Sequence, residues 1–480
     1  MIIKRIAILL GSIGILLRIF PVWARPTWYD ENFTILLTRL PINKLLEATA
    51  GDVHPPLWYL LCWPLAHIPN IPPWVTVRIP SVLASILTVW VWWAILKVMT
   101  RSERVRLVAF GLFCFIPQQI YYAQEGRMYA LLTLLVLSAW LCILQCRWIW
   151  LVVIMTCMLY LHNYGLFYLA SLWLATIFYY RHWKLTTIKA TLAMAGSFLL
   201  FIPWVIVLIN QMNEIQGTYW MVRVSIPSIL SEFVYSYFAN GLITANIVNI
   251  TVLVGVLVWI IIWDIRSGFI NTPVYILAFV PLILAAAISY IWQPIMLYRA
   301  LIPSGVFLTL ILAQPLEYLE LRPTIILSIF FIPALLVNLL STVFLSKWED
   351  NPIIRTYVSL SLVDSQWEAG DLLYYTDDGF FISGSVYWKN INNTLRTSLC
   401  GPVYGGLSYK TRSALGMESG PLPDKVTGRV WVLTAETPLT PQCENDYLET
   451  NGLLISEPLF CAQDDILVKS CVYLYLVDPQ

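Results

Sequence analysis

Apolar runs close to the length that crosses a bilayer alternate along the chain with short polar breaks, a pattern that predicts transmembrane helices. They fall at 5–23, 78–96, 107–122, 128–146, 148–161, 165–180, 190–209, 246–263, 273–291, 300–316 and 324–344, which makes eleven crossings. One apolar stretch, 55–68, is left out of that count. It is 14 residues long, contains Pro64 and is followed by Pro69, Pro72 and Pro73, so it reads as a helix lying in the outer interface. A second segment of that kind runs from Pro227 to Leu242, where Ile229, Leu230, Phe233, Val234 and Tyr237 recur at helical spacing. It reads equally well as a loop helix without a role.

Basic residues set the orientation. Lys97, Arg101, Arg104 and Arg106, then Arg147, then Arg181, Lys184 and Lys189, then Arg266 and Arg322 fall in alternate loops. The positive-inside rule puts those loops and the N-terminus in the cytoplasm, in a cytoplasmic (inner) membrane, with the C-terminus outside. Counting 55–68 as a crossing would place the 97–106 cluster on the wrong side. The first outer loop, 24–77, is therefore large and structured. Past residue 345 the apolar runs shorten to strand length, and Asp371 to Tyr375 and Arg429 to Thr434 read as strands of a small α/β core. The predicted architecture is a mainly α, polytopic membrane helical bundle over 1–345 and a soluble extracytoplasmic domain over 346–480.

Composition agrees. The chain of 480 residues is 59% hydrophobic and 12% charged, with 22 Trp and 26 Tyr available for interfacial belts, which excludes a soluble globule. A net charge of +1 offers no basic patch for nucleic acid. Lys4 and Arg5 precede an apolar stretch as in a signal peptide, but no small-residue cleavage site follows, so the segment reads as an uncleaved first helix. Cys400, Cys443, Cys461 and Cys471 all fall in the soluble domain and suggest two disulfides whose connectivity stays open. The other five of the nine cysteines read as small apolar packing residues.

The polar residues that interrupt this apolar chain gather on the predicted outer side. Asp30 and Glu31 follow the first span, and His54-Pro55-Pro56 opens the interfacial helix. Gln124-Glu125-Gly126-Arg127-Met128-Tyr129 forms an outer turn, His162-Asn163-Tyr164 forms the next, and Tyr298-Arg299 starts the tenth span. Singly, each has a plainer reading: a solvated loop pair for Asp30 and Glu31, an interfacial histidine for His54 or His162, a local ion pair for Glu125 and Arg127. Together they suggest a cavity open to the outer interface. A carboxylate base, cations for a leaving phosphate and apolar walls for a lipid tail suit a polyprenyl-phosphate sugar donor. Asp30 would accept the proton of an incoming hydroxyl, and Arg127 and Arg299 would hold the departing phosphate. The chain shows no Gly-rich phosphate loop, and nucleotide sugars are cytoplasmic, so an outer-face transfer needs a lipid-carried donor.

Five segments carry a family resemblance: Tyr29-Asp30-Glu31, His54-Pro55-Pro56-Leu57-Trp58-Tyr59, Arg78-Ile79-Pro80-Ser81, Tyr122 to Tyr129, and Tyr298-Arg299-Ala300-Leu301-Ile302-Pro303. In this order they resemble the GT-C fold glycosyltransferases, and within them the bacterial protein mannosyltransferase and aminoarabinose transferase group of the cell envelope. The likeness covers roughly 5–345. It implies that Asp30 is the catalytic carboxylate, that 55–68 is a juxtamembrane helix and that the donor is a polyprenyl-phosphate monosaccharide. Glu31, His54, Glu125, Tyr129, His162 and Tyr164 would line the donor or acceptor cavity beside Arg127 and Arg299. A divalent metal held by carboxylate and histidine is compatible with these residues, but their spacing does not require one. A Trp-Trp-Asp motif expected of oligosaccharyltransferases is absent, since Ala94 follows Trp92-Trp93, and no mid-chain loop could hold a trefoil-like insert. The alternative is a transporter or flippase of lipid-linked sugars, whose signature would be inverted repeats; the halves show no convincing pairing. The sugar and the acceptor, whether protein, lipid or polysaccharide, are not fixed by any motif.

Overall fold

The computed structural model describes residues 2–20, 27–215, 255, 262, 272–317, 360–375, 378–387, 394–396, 407–416, 429–436 and 471–477. In chain order the helices are α1 (Ile2–Ile19), α2 (Tyr29–Arg39), α3 (Ile42–Gly51), α4 (Leu57–Ala66), α5 (Pro73–Met99), α6 (Glu103–Phe115) and α7 (Pro117–Tyr121). They continue with α8 (Tyr129–Leu144), α9 (Trp148–Leu161), α10 (Gly165–Tyr179), α11 (Lys184–Ile215), α12 (Thr272–Ile291) and α13 (Ile302–Ala313). Strands β1 (Leu372–Tyr375), β2 (Thr394–Arg396), β3 (Val430–Glu436) and β4 (Cys471–Val477) follow, with α14 (Asp378–Tyr387) and α15 (Tyr409–Ala414) among them. The chain divides into two compact units. One comprises Met1–Ala24, Arg78–Ile206 and Met221–Ser346, the other Arg25–Val77, Val207–Trp220 and Lys347–Gln480. Both divisions inside a helix lie close to an internal proline, Pro80 in α5 and Pro203 in α11, where a missing N–H interrupts the helical ladder.

The first unit is a bundle of apolar helices. Pro73–Met99, Lys184–Asn213, Thr272–Ile291 and Tyr298–Glu317 are long and apolar enough to cross a membrane, and α6 with the segment Pro117–Gln124 makes a fifth span bent by 52°. The chain is a multi-pass membrane protein. Eight of the predicted crossings coincide with helices α5, α6–α7, α8 to α13, and a ninth with α1; 246–263 (apart from residues 255 and 262), 324–344 and the segment from Pro227 to Leu242 lie outside the described residues. Helices α8, α9 and α10 contain 16, 14 and 15 residues, short of the roughly 20 that span a bilayer upright, and α1 carries Lys4, Arg5 and Arg18. In an apolar 18-residue stretch of Tyr298–Glu317, 89% of the residues are buried, against 28% in such a stretch of Lys184–Asn213, so α13 is central to its unit and α11 peripheral. The 55–68 segment forms α4, ten residues long.

The bend between α6 and α7 has a local cause. Pro117 has no N–H to give the carbonyl of Phe113, and Ile116 turns out of the helix with φ −60° and ψ 122°. Arg18 of α1, fully buried, supplies the missing donors: Nη2 donates to the Phe113 carbonyl at 3.2 Å and Nη1 to that of Cys114 at 3.0 Å. Its Nη1 also donates to Gly14 O at 2.8 Å and its Nε to Ser85 Oγ of α5 at 3.0 Å. Three helices are thus joined at the break by one guanidinium.

The second unit carries a four-stranded sheet of order β2-β1-β3-β4. Strand β1 runs parallel to β2 and β3, and β3 runs antiparallel to β4. The predicted strands Asp371 to Tyr375 and Arg429 to Thr434 are β1 and β3. Asp371, 2% exposed, closes the start of β1 by accepting from Arg429 Nη2 and Trp431 Nε1, both at 2.9 Å, and from the Glu368 amide at 2.9 Å. Burial alone would raise its pKa, but these hydrogen bonds and the Arg429 charge outweigh it and hold the carboxyl below its ordinary value. Of the five cysteines whose side chains are described, Cys62, Cys114 and Cys142 are buried, while Cys146 is exposed at a turn with φ 55°. The cysteines expected to pair lie outside the described side chains.

Candidate active site

In the membrane unit the predicted residues are set by three short connections. The first is the turn between α7 and α8. Gln124 Nε2 donates to Leu17 O at 2.7 Å and Phe20 O at 2.8 Å, satisfying carbonyls at the end of α1 that have no helical partner. Ser81 Oγ of α5 donates to Arg127 O at 2.9 Å, and the Arg127 amide closes back on Glu125 O at 2.7 Å. Glu125 and Arg127 are 5% and 2% exposed. Two ionisable side chains are therefore buried two residues apart, and burial of charge persists only where the surroundings answer it.

The second connection is the tight turn from α9 to α10. A Cβ on Gly165 would sit 2.7 Å from Met158 O, so only glycine allows α10 to start so close to the end of α9. The Tyr164 amide donates to His162 Nδ1 at 3.1 Å. Nδ1 is thus an acceptor, and the neutral ring carries its proton on Nε2. The third connection, between α12 and α13, holds Arg299. Tyr164 Oη donates to Ile295 O at 2.6 Å and accepts from the Leu297 amide at 2.9 Å. Tyr168 of α10 reaches Ala300 O at 3.2 Å, and Gln119 Nε2 of α7 reaches Ile302 O at 3.3 Å.

These connections meet at Tyr129, the first residue of α8. Its ring centroid lies 5.3 Å from that of Tyr122, 5.9 Å from that of His162 and 5.7 Å from Arg299 Cζ, with Tyr164 5.5 Å beyond His162. The aromatic and cation–π contacts are each worth about 0.5–2 kcal/mol. The structure so brings together Tyr129, His162, Tyr164 and Arg299 out of residues spread over 170 positions. Tyr122, which backs the Tyr129 ring, was not singled out from sequence as a site residue, although it stands seven positions before Tyr129 in the same motif.

Asp30, Glu31 and His54 belong to the second unit. Trp28 precedes α2, so Asp30 and Glu31 fall in its first turn, at the positive end of the helix dipole. Glu31, 2% exposed, accepts from the Trp28 amide at 3.4 Å, which is half of a capping box. Asp30 is half-buried, and its main-chain carbonyl accepts from Thr34 Oγ1 at 2.9 Å. His54 Nδ1 lies 3.3 Å from Asp52 Oδ2. Among the described residues no three His, Cys, Asp or Glu side chains are grouped as a metal site.

Over its whole length the chain superposes on ArnT from Cupriavidus metallidurans in the apo state, with a TM-score of 0.62 and 11% identity, covering 98% of this chain and 99% of that one. The chain has the GT-C fold. A second structure of ArnT from Cupriavidus metallidurans, bound to undecaprenyl phosphate, matches with a TM-score of 0.59 at 11% identity over 100% of this chain and 99% of that one. The likeness extends beyond 1–345 into the C-terminal segment, which the sequence motifs did not cover. No protein-family model and no curated protein matches the chain.

Proposed function

We propose that the GT-C chain is an integral membrane glycosyltransferase that moves a monosaccharide from a polyprenyl-phosphate donor to an extracytoplasmic hydroxyl acceptor. The observation that carries this reading is the end-to-end match to ArnT, of which one structure holds undecaprenyl phosphate. The second support is chemical: the Tyr129 cluster contains the Arg299 guanidinium and the His162 imidazole, and the buried Arg127 stands in the turn that leads into Tyr129, residue types that suit a phosphate.

In the proposed reaction Asp30 takes the proton of the acceptor hydroxyl as its oxygen attacks the anomeric carbon. The bond from that carbon to the phosphate oxygen breaks, and its electron pair leaves with the polyprenyl phosphate. Negative charge grows on the phosphate as the bond stretches, so Arg127 and Arg299 stabilise the transition state more than the ground state. Glu125, Tyr129, His162 and Tyr164 line the donor side in this scheme, and Glu31 and His54 flank Asp30. Bacterial inner-membrane placement, with the N-terminus cytoplasmic, the domain at 346–480 outside and the bundle at 1–345 carrying the 24–77 loop, belongs to the same proposal.

The test is transfer of radiolabelled sugar from a panel of short-chain polyprenyl-phosphate monosaccharides to native-membrane acceptors by the purified protein. Release of free polyprenyl phosphate in step with label transfer supports an enzyme. Donor binding without release of polyprenyl phosphate, or movement of donor across proteoliposomes without transfer, refutes it in favour of a transporter.

A further inference from the structure

The chain that holds Asp30 is docked on the C-terminal segment at two places in the same unit. On α2, Asn32 and Arg39 are seven residues apart and so lie on one stripe of the helix, about 10 Å apart along its axis. Both bond to α14: Asn32 Nδ2 donates to Ser383 Oγ at 3.3 Å and Arg39 Nη1 to Ser385 O at 3.0 Å, across 351 and 346 residues of sequence. Asn32 is fully buried, and Ser383 and Ser385 are buried at 4% and 7%. Asn32 also engages Thr27, through the Thr27 hydroxyl and carbonyl, so the same side chain fixes the turn that leads into α2.

The second dock is at the end of α3, where the capping Asp52 amide donates to Thr49 O at 3.2 Å. Thr411 Oγ1 of α15 donates to Ala48 O at 3.0 Å, and Gln211 Nε2 donates to Thr49 O at 3.0 Å. All three chain segments of the unit meet there. A Cβ at Gly51 would lie 2.6 Å from Ser408 Oγ, so the approach of α15 to α3 depends on that glycine.

Two residues along a helix is a rotation of about 200°, so Asp30 projects from the face opposite Asn32. A clamp at Asn32 and Arg39 sets both the roll and the slide of α2, and with them the position of the Asp30 carboxylate, without touching it. We propose that the C-terminal domain is a positioning element for Asp30, acting through Asn32–Ser383 and Arg39–Ser385. This rests on the reading of Asp30 as the base. It assigns the domain a part in the transfer step.

The experiment compares wild type, Ser383→Ala, Ser383→Thr and Arg39→Met in full-length protein, reading kcat and donor KM beside amide hydrogen exchange over 29–39. Misplacement of a base by up to an ångström costs up to about a hundredfold. Ser383→Ala is expected to lose about tenfold or more in kcat with KM unchanged, and Ser383→Thr, which keeps the hydroxyl, to recover most of it. Exchange should rise within 29–39 in Ser383→Ala and Arg39→Met and stay unchanged in α8 to α10; general destabilisation would raise it in both units. Full kcat with unchanged exchange in Ser383→Ala overturns the positioning role. A wild-type protein that transfers from no donor overturns the enzyme reading instead, and the exchange data then still decide whether the domain holds α2.

Discussion

Replacing Arg18 by Met tests how the broken span is held. The guanidinium makes four hydrogen bonds, at 2.8, 3.0, 3.0 and 3.2 Å, three of them to main-chain carbonyls. Those of Phe113 and Cys114 lie at the Pro117 break, where no helical N–H reaches them, and neither can be replaced by an apolar group as a side chain could. A hydrogen bond from a charged donor contributes about 1.5–3 kcal/mol net, with desolvation already included. The bonds of one side chain are not additive, so two of them set the scale, and Arg18→Met should cost at least about 3 kcal/mol. The isostere recovers packing but no donor. The assay is thermal unfolding in detergent of wild type, Arg18→Met, Pro117→Ala and the double variant. Alanine at 117 restores an N–H within reach of Phe113 O, so the double variant should be more stable than the sum of the single changes predicts. An Arg18→Met protein that unfolds with wild type, or strictly additive changes, would refute the claim that Arg18 answers the carbonyls freed by the proline.

Three further outcomes follow from the two units. Gly51→Ala forces a Cβ to within 2.6 Å of Ser408 Oγ and 2.9 Å of Thr411 Oγ1; it should destabilise the second unit by about 1–3 kcal/mol, read as increased proteolysis of the C-terminal segment. Because the Asp371 carboxyl is held below its ordinary value of about 3.9, the unfolded chain binds the proton more readily, so this group's contribution is complete above that value and is lost as pH falls through the lower, folded one. Asp371→Asn should lower stability at neutral pH and flatten the acid limb of the unfolding curve, measured by near-ultraviolet circular dichroism; an unchanged acid limb would exclude Asp371 as its source. Tyr129→Leu removes the ring that packs against Tyr122, His162 and Arg299 and should lower transfer at least tenfold, whereas Tyr129→Phe keeps the stack and most of the activity; equal loss in both would place the role in the hydroxyl.

The apolar runs made nine of the crossings readable because lipid-facing and core-facing residues are both hydrophobic, and the turns between them are marked by charge. The same signal fails for α2. Its buried side includes Asn32, Thr34 and Thr38, whose hydroxyls bond back to main-chain carbonyls or whose amide reaches α14, so polar letters occupy the face that periodicity expects to be apolar. The bend at Pro117 was present in the sequence, but a run of apolar residues reads as one span whether or not it is broken. Arg18 lies inside the predicted span 5–23 and is fully buried, a role that the sequence reading did not single out. Within the candidate site, Tyr129, His162, Tyr164 and Arg299 were legible as polar residues at span ends. Their meeting at one ring depends on Gly165 and on Tyr164 holding the chain before Arg299, contacts that no local pattern encodes. The docking of α2 and α3 on α14 and α15 joins residues about 350 positions apart and leaves no trace in either segment alone.

The central claim is best tested by donor-dependent transfer with wild type beside Asp30→Asn and Glu31→Gln, all shown to fold by matched melting curves. Loss of a general base costs about 10²–10⁴-fold. The account predicts such a loss in kcat for Asp30→Asn with donor binding retained, and a smaller loss for Glu31→Gln that follows its weaker cap on α2. Full activity in Asp30→Asn would contradict the account and move the base elsewhere in the chain.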